Sequence, residues 1–300
     1  MKRNITVICD ISICYLKWLI LAVCVCCPTI AKAKDIKVAT SFYPIYIMAL
    51  NVTQNVVGVQ VVNITPKAVG CLHDYSLTAA DMKRLATADI FFTNGAAMES
   101  FIETVAGQFK GLRIVALSEG IPLIRNADGS DNPHVWVGIN NAAIQVRNMG
   151  NALIMFDPGN ALLYDRNTEN YIRKLHALSA QMHSQLAPYA NKKIVTFHEA
   201  FAYFAQEFQF DIVGVIEQNP SSVPSAKGLA GTIELVKRAG IKTLFAEPQY
   251  SVAAAEIISR ETGAKIYSLD PAVTGPDSAD AYETIMRANM LSIINAFKQE

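Results

Sequence analysis

The sequence has no excess of charge of either sign. Its 300 residues contain 26 Lys and Arg and 26 Asp and Glu, so the formal net charge is zero. Proteins that bind nucleic acids normally carry a basic face that neutralises phosphates. We therefore expect no nucleic-acid partner. Because 51% of the residues are hydrophobic, the chain can supply the cores of two ordinary domains.

Cysteine is scarce beyond the first 27 positions. Five of the six cysteines lie within residues 9–27, and only Cys71 follows them. A single cysteine cannot form an intramolecular disulfide. The part of the chain that follows residue 33 must therefore be held together by its core.

The apolar run at residues 18–27 is too short to cross a bilayer as a helix, which takes about 20 residues. Lys2 and Arg3 precede it, and the small-residue pattern Ala31-Lys32-Ala33 follows it. This is the layout of a secretory signal peptide. We predict that residues 1–33 are removed and that the protein is periplasmic or displayed at the cell surface. A retained membrane anchor and a lipidated N-terminus are the alternatives.

The remaining sequence alternates short β-branched runs with helical stretches, which predicts an α/β fold. The runs are mostly continuously apolar, as in parallel strands that are buried on both faces. The first four are residues 36–40, 60–65, 88–93 and 112–117, and the second four are residues 193–197, 211–216, 242–246 and 265–269. Helices are expected between them, for example at residues 79–88 and 233–239.

The middle of the chain predicts one long helix. Residues 160–187 contain no Gly or Pro, and Pro188 follows. One mostly apolar stripe recurs at three- and four-residue steps, at Ile172, Leu175, Ser179, Met182 and Leu186. We therefore predict an N-terminal lobe at 34–159, a rigid linker helix at 160–190 and a C-terminal lobe at 191–300.

Three histidines and one aspartate lie where loops should leave strands. His73 follows the second run and His134 the fourth, whereas His198 and Asp270 directly follow the first and last runs of the second lobe. Ligands of open α/β sheets bind at the carboxyl ends of the strands, so two facing lobes would bring these groups to one point. Three imidazoles and a carboxylate suit Zn²⁺, although Mn²⁺ or Fe²⁺ also binds such sites.

His176 and His183 are expected to differ from these three histidines. They are seven positions apart on the long helix, which separates them by about 10.5 Å along its axis. A straight helix cannot bring both to one ion, so we interpret them as surface residues.

Many motifs, in fixed order, resemble the zinc- and manganese-type solute-binding proteins of ABC importers. They span nearly all of the chain after residue 34. They include Thr40-Ser41-Phe42-Tyr43-Pro44, His73-Asp74-Tyr75, Pro133-His134-Val135-Trp136, Thr196-Phe197-His198-Glu199, Glu247-Pro248-Gln249 and Leu269-Asp270-Pro271.

The resemblance implies two (β/α)₄ lobes with mainly parallel sheets, joined by one long rigid helix, with a metal at the cleft between them. It implies His73, His134, His198 and Asp270 as ligands, and His at the third position favours Zn²⁺ over Mn²⁺. It also implies delivery of the ion to the membrane subunits of an ABC permease, which we expect a monomer to perform. Leu72 replaces the usual proline before the first ligand, and the histidine-rich loop of many zinc-specific members is missing.

Three further residues lie near this site in the sequence. Cys71 is a candidate thiolate ligand or a small buried residue. Glu199 and Glu247 are candidates for orienting an imidazole or accepting backbone N–H groups.

Two other functions remain open at this point. A secreted zinc-dependent hydrolase would leave one coordination position to water, with Glu199 as general base. No HExxH helix, nucleophile elbow or P-loop supports an enzyme. A surface adhesin is the other alternative, and no motif encodes it.

Overall fold

Four short strands near the start of the described chain form a parallel sheet. The computed structural model describes residues 35–66, 72, 75–126, 128–216 and 225–299. The strands are β1 (Ile36–Thr40), β2 (Val59–Asn63), β3 (Ile90–Thr93) and β4 (Arg113–Ala116), in the spatial order β2-β1-β3-β4. β3 pairs on both sides and is buried along its whole length. Its apolar sequence therefore reflects burial on both faces.

The helices of this first lobe are α1 (Tyr43–Val52), α2 (Ala79–Leu85) and α3 (Ile102–Gln108). α2 begins with a reciprocal cap, in which the Thr78 hydroxyl accepts the Asp81 N–H and the Asp81 carboxylate accepts the Thr78 N–H at 2.8 Å. The predicted helix at 79–88 ends early, at Leu85. By Asp89 the chain is hydrogen-bonded to β1, because the Asp89 N–H donates to the Lys37 carbonyl at 2.9 Å.

Two antiparallel helices occupy the middle of the chain, α4 (Ile139–Phe156) and α5 (Ala161–Leu186), with the single turn Pro158–Asn160 between them. α5 has 26 residues and is about 39 Å long at 1.5 Å per residue. The five residues of its predicted stripe are all buried. His176 and His183 are exposed, as expected, and the His183 ring lies 4.8 Å from that of Phe208.

A second parallel sheet repeats the first arrangement. Its strands are β5 (Lys193–Thr196), β6 (Asp211–Val215), β7 (Thr243–Ala246) and β8 (Lys265–Ser268), in the order β6-β5-β7-β8. Its helices are α6 (Ala202–Phe208), α7 (Ala226–Ala239) and α8 (Ala253–Thr262). α7 begins earlier than predicted because the Ser225 side chain accepts the Gly228 N–H and caps it.

The last helix of the described chain is α9 (Ala281–Lys298), which packs against both α5 and α1. One hydrophobic core therefore runs through both lobes, with Phe91 of the first sheet, Leu175 of α5, Phe204 of α6 and Met286 of α9 among its members. A smaller core lies around β5 and β7 of the second lobe.

The predicted fold class is confirmed. Each predicted strand overlaps an observed one, and their ends agree within two residues. The predicted leader at residues 1–33 lies outside the described residues and stays a prediction, as do the three lobe and linker boundaries. Among the described residues, no helix is both long and apolar enough to span a membrane.

Candidate metal centre

His134 lies in the loop that follows β4, and its ring is fully buried. Its Nδ1–H donates to the Asn132 side-chain oxygen at 2.9 Å, and its backbone N–H donates to the same oxygen at 3.0 Å. The Asn132 amide nitrogen in turn donates to the Glu199 carbonyl at 3.0 Å. These contacts fix the Asn132 amide, and they leave Nε2 as the ring nitrogen of His134 that points away from Asn132.

His198 lies two residues after the end of β5 and is also buried. Its Nδ1–H donates to the Glu247 carboxylate in a short contact, and its backbone N–H donates to the same oxygen at 3.3 Å. Glu247 immediately follows β7, the neighbour of β5 in the sheet. The Gln249 amide donates to its second carboxylate oxygen at 2.7 Å. The carboxylate therefore holds the ring with Nε2 directed away from it.

The two imidazoles meet at their Nε2 atoms, which are 3.3 Å apart. The ring planes are nearly perpendicular, at 79°. Since Asn132 and Glu247 occupy the two Nδ1 atoms, both rings present Nε2 to one point. Chemically, this is how two histidines offer lone pairs to one cation.

Asp270 lies two residues after β8, in the position that corresponds to His198. Asn289 fixes its backbone, accepting the Asp270 N–H at 2.8 Å and donating to the Asp270 carbonyl at 2.7 Å. The Oδ1 atom of Asp270 accepts the Ala272 N–H at 2.8 Å. Burial raises the pKa of Asp270 to about 6; the Ala272 N–H opposes this shift and the negative charge of Glu247 adds to it.

The structure thus brings two of the four predicted ligands together. Across the described ranges, no cluster of three or more His, Cys, Asp or Glu side chains has the geometry to hold a metal. His73 and Cys71 lie outside those ranges, so their predicted roles are not tested. The nearby Tyr75 hydroxyl donates to Asp81 at 2.7 Å, which ties the chain after His73 to the start of α2.

Glu199 takes part in the site through its backbone carbonyl, which accepts the Asn132 amide. Its carboxylate lies 3.4 Å from the Asn126 amide nitrogen. Burial raises the pKa of this carboxyl, whereas His198 lowers it and Asp128 raises it further.

Four residues that contribute to this geometry were not predicted as site residues: Asn132, Trp136, Gln249 and Asn289. Asn132 and Gln249 offered a local signal, since each lies two residues from the side chain that it contacts. The contacts of Trp136 and Asn289 join loops that are distant in the sequence.

Comparison with known proteins places the chain in a family. Residues 38–296 match the family model ZnuA, described as zinc-uptake complex component A, periplasmic. The iron-binding protein YfeA of Yersinia pestis is 32% identical over 240 residues, which cover 78% of this chain and 76% of that protein. The high-affinity zinc uptake system protein ZnuA of Bacillus subtilis is 27% identical over 281 residues, 87% of each protein.

A solved structure agrees with these relatives. The SBP FpvC of Pseudomonas aeruginosa in complex with Ni²⁺ superposes with a TM-score of 0.80 at 30% identity, covering 89% of this chain and 98% of that one. The family match and the YfeA relative show that the chain belongs to the ZnuA family of metal-binding, substrate-binding proteins of ABC transporters.

Proposed function

We propose that this protein captures Zn²⁺ outside the cytoplasm and delivers it to the membrane subunits of an ABC importer. The observation that carries the proposal is the 3.3 Å separation of the Nε2 atoms of His134 and His198. Two nitrogen ligands about 2.05 Å from a tetrahedral Zn²⁺ ion are about 3.3 Å apart. The two rings are therefore spaced as ligands of one such ion, and their partners already fix their tautomers.

His73 and Asp270 complete the proposed coordination shell. Asp270 supports this role by its position, since it follows β8 as His198 follows β5. Its raised pKa, to about 6, reflects burial of a carboxylate, and a cation at the site would favour the charged form. His73 enters the proposal through its motif.

Zinc is preferred in this proposal because the shell would contain three imidazoles and one carboxylate. Imidazole nitrogen suits Zn²⁺, whereas Mn²⁺ is better served by carboxylate, carbonyl and water oxygens. The names of the relatives include both iron and zinc, so we make the choice of metal on the donor set. A competition titration of Zn²⁺ against Mn²⁺ tests it, and tighter binding of Mn²⁺ would overturn it.

The proposed carrier is a monomer that is exported by a cleaved leader at residues 1–33. Mass spectrometry of the exported protein should show a chain that begins at Lys34 without a lipid. A mass that includes residues 1–33 or an acyl group would contradict this. A secreted zinc hydrolase, the alternative from the sequence, is not retained, because the family consists of non-enzymatic binding proteins.

The central experiment compares two histidine variants. His198→Ala should weaken Zn²⁺ binding by more than about 100-fold, because losing a residue that merely orients a ligand already costs about 10–100-fold. His176→Ala is the matched control, since it removes an exposed imidazole from α5. Circular dichroism of both variants checks folding. Equal affinities of the two variants would refute the site.

Delivery is tested in cells that lack the gene. Zinc-limited growth should be restored by the wild-type chain and by His176→Ala, but not by His198→Ala. Restoration of growth by all three chains would show that growth does not require zinc binding at this site, and it would contradict the proposed transport role.

A further inference from the structure

The loop that carries His134 is held by the second lobe on both sides of the histidine. On the N-terminal side, the Tyr203 hydroxyl donates to the Asn132 carbonyl at 2.7 Å and accepts the Ile124 N–H at 3.0 Å. Tyr203 belongs to α6, which follows His198. This side of the loop is therefore tied to the helix that follows His198.

On the C-terminal side, Trp136 ties the same loop to the segment that carries Asp270. Its indole Nε1–H donates to the carbonyl of Pro271 at 2.7 Å, and Pro271 directly follows Asp270. The carbonyl of Trp136 accepts the Tyr282 hydroxyl at 2.7 Å. Two buried hydrogen bonds thus join the His134 loop to the segment that follows β8 and to the first turn of α9.

The Trp136 side chain is closely packed on the faces that meet Phe42 and His134. It is fully buried, its ring meets Phe42 edge-to-face at 4.9 Å, and the His134 ring lies 5.3 Å away. In a close-packed interior, a side chain with such neighbours transmits displacement instead of absorbing it. A shift of Pro271 would therefore move the His134 loop or break the indole hydrogen bond.

We propose that Trp136 is a positioning residue, whose indole N–H sets the place of the Asp270 carboxylate relative to His134 and so raises metal affinity. The inference rests on the proposed function, because it assumes that both residues bind one ion. Metal sites depend on such supporting contacts, and losing one costs about 10–100-fold in affinity. Trp136 reaches Asp270 through one peptide unit, so its effect should depend on that carboxylate.

The first test compares Trp136→Phe with Tyr43→Phe. The Tyr43 hydroxyl donates to the Pro276 carbonyl at 2.7 Å, so Tyr43→Phe removes a bond of the same length from the same segment, at a residue six positions after Asp270 instead of one. We expect Trp136→Phe to weaken Zn²⁺ binding by about 10-fold or more, and Tyr43→Phe to leave it nearly unchanged. The melting temperatures of the metal-free variants report the purely structural cost of each change.

A second variant separates the indole N–H from the volume of the ring. The chain has two tryptophans, Trp18 in the predicted leader and Trp136. Global replacement of tryptophan by β-(3-benzothienyl)alanine exchanges the N–H for sulfur and nearly keeps the shape. We expect this protein to lose zinc affinity in the same direction as Trp136→Phe.

A double-mutant cycle decides whether Trp136 acts through Asp270. In the Asp270→Asn background, Trp136→Phe should cost little additional zinc affinity, whereas independent contributions would multiply. Full additivity, or unchanged zinc affinity in both Trp136 variants, overturns the inference and leaves the proposed function standing. A wild-type protein that binds no zinc overturns the proposed function itself.

Discussion

Replacing Glu247 by Gln should weaken zinc binding without unfolding the protein. One oxygen of Glu247 accepts both the ring Nδ1–H and the backbone N–H of His198. Gln keeps an acceptor there and removes the charge. Its new amide nitrogen would face the Gln249 amide, whose oxygen is buried without a hydrogen-bond partner and can accept after the Gln249 amide turns by 180°.

The size of the effect follows from the two kinds of hydrogen bond. Bonds to charged groups contribute about 1.5–3 kcal/mol and neutral ones about 0.5–1.5 kcal/mol. The difference of about 1–1.5 kcal/mol corresponds to roughly a tenfold loss, since 1.4 kcal/mol is a factor of ten. Glu247→Ala should lose more, because it removes the acceptor that Glu247 provides to two buried N–H groups of His198.

Competition against a chromophoric zinc chelator, at fixed pH and ionic strength, measures these affinities. Glu199→Gln is the matched control, because Glu199 adjoins His198 but its carboxylate lies next to the Asn126 amide. Wild-type zinc affinity in Glu247→Gln, or an equal loss of affinity in Glu199→Gln, would refute this role of Glu247.

Three further predictions concern stability. Gly150→Ala should destabilise the α4–α5 pair by about 1–3 kcal/mol, because the new Cβ would lie 2.2 Å from the Thr168 hydroxyl oxygen. Gly231→Ala is its control, because Gly231 faces open space on α7, and it should stabilise the protein by about 0.5–1 kcal/mol. Melting temperatures that shift in the same direction for both variants would contradict the described packing. Burial raises the pKa of Asp81, but hydrogen bonds from Thr78 and Tyr75 and the charge of Arg84 outweigh it and hold that pKa below its ordinary 3.8. The contribution of Asp81 to the free energy of unfolding is therefore complete above pH 3.8 and is lost as the pH falls through the pKa of the folded state. Urea unfolding should show that Asp81→Asn costs less stability at pH 3 than at pH 6. Saturating Zn²⁺ should raise the melting temperature of the wild type, and an unchanged melting temperature would count against a native-state site.

The strands could be predicted because the central ones are buried on both faces, so burial alone dictates an apolar run. The register of the second sheet could not. Ile194 pairs with Ile212, but Val195 pairs with Gly214, so one residue of β6 is passed over. That irregularity depends on how two separate strands meet, and neither strand encodes it locally.

The metal centre likewise has parts that the sequence predicted and parts that depend on contacts between distant residues. His134 and His198 were predicted because each follows a recognisable strand, and sheet topology brings such positions together. The groups that orient them were harder to predict, because their partners are distant in the chain. Asn132 contacts Glu199 across 67 residues, and Trp136 contacts Pro271 across 135. Glu247 was a candidate because it lies near the predicted site in the sequence, but its pairing with His198 depends on the strand order, which places β7 beside β5.

The packing of α9 has a consequence for how the chain matures. α1, near the start of the described chain, packs partly against α9, and the Asn51 amide donates to the Ala279 carbonyl at 2.7 Å just before α9 begins. A growing polypeptide therefore cannot finish its first lobe until almost all of its residues have been synthesised. Until then, the part of α1 that α9 contacts remains uncovered, and such uncovered apolar surface exposes a nascent chain to aggregation.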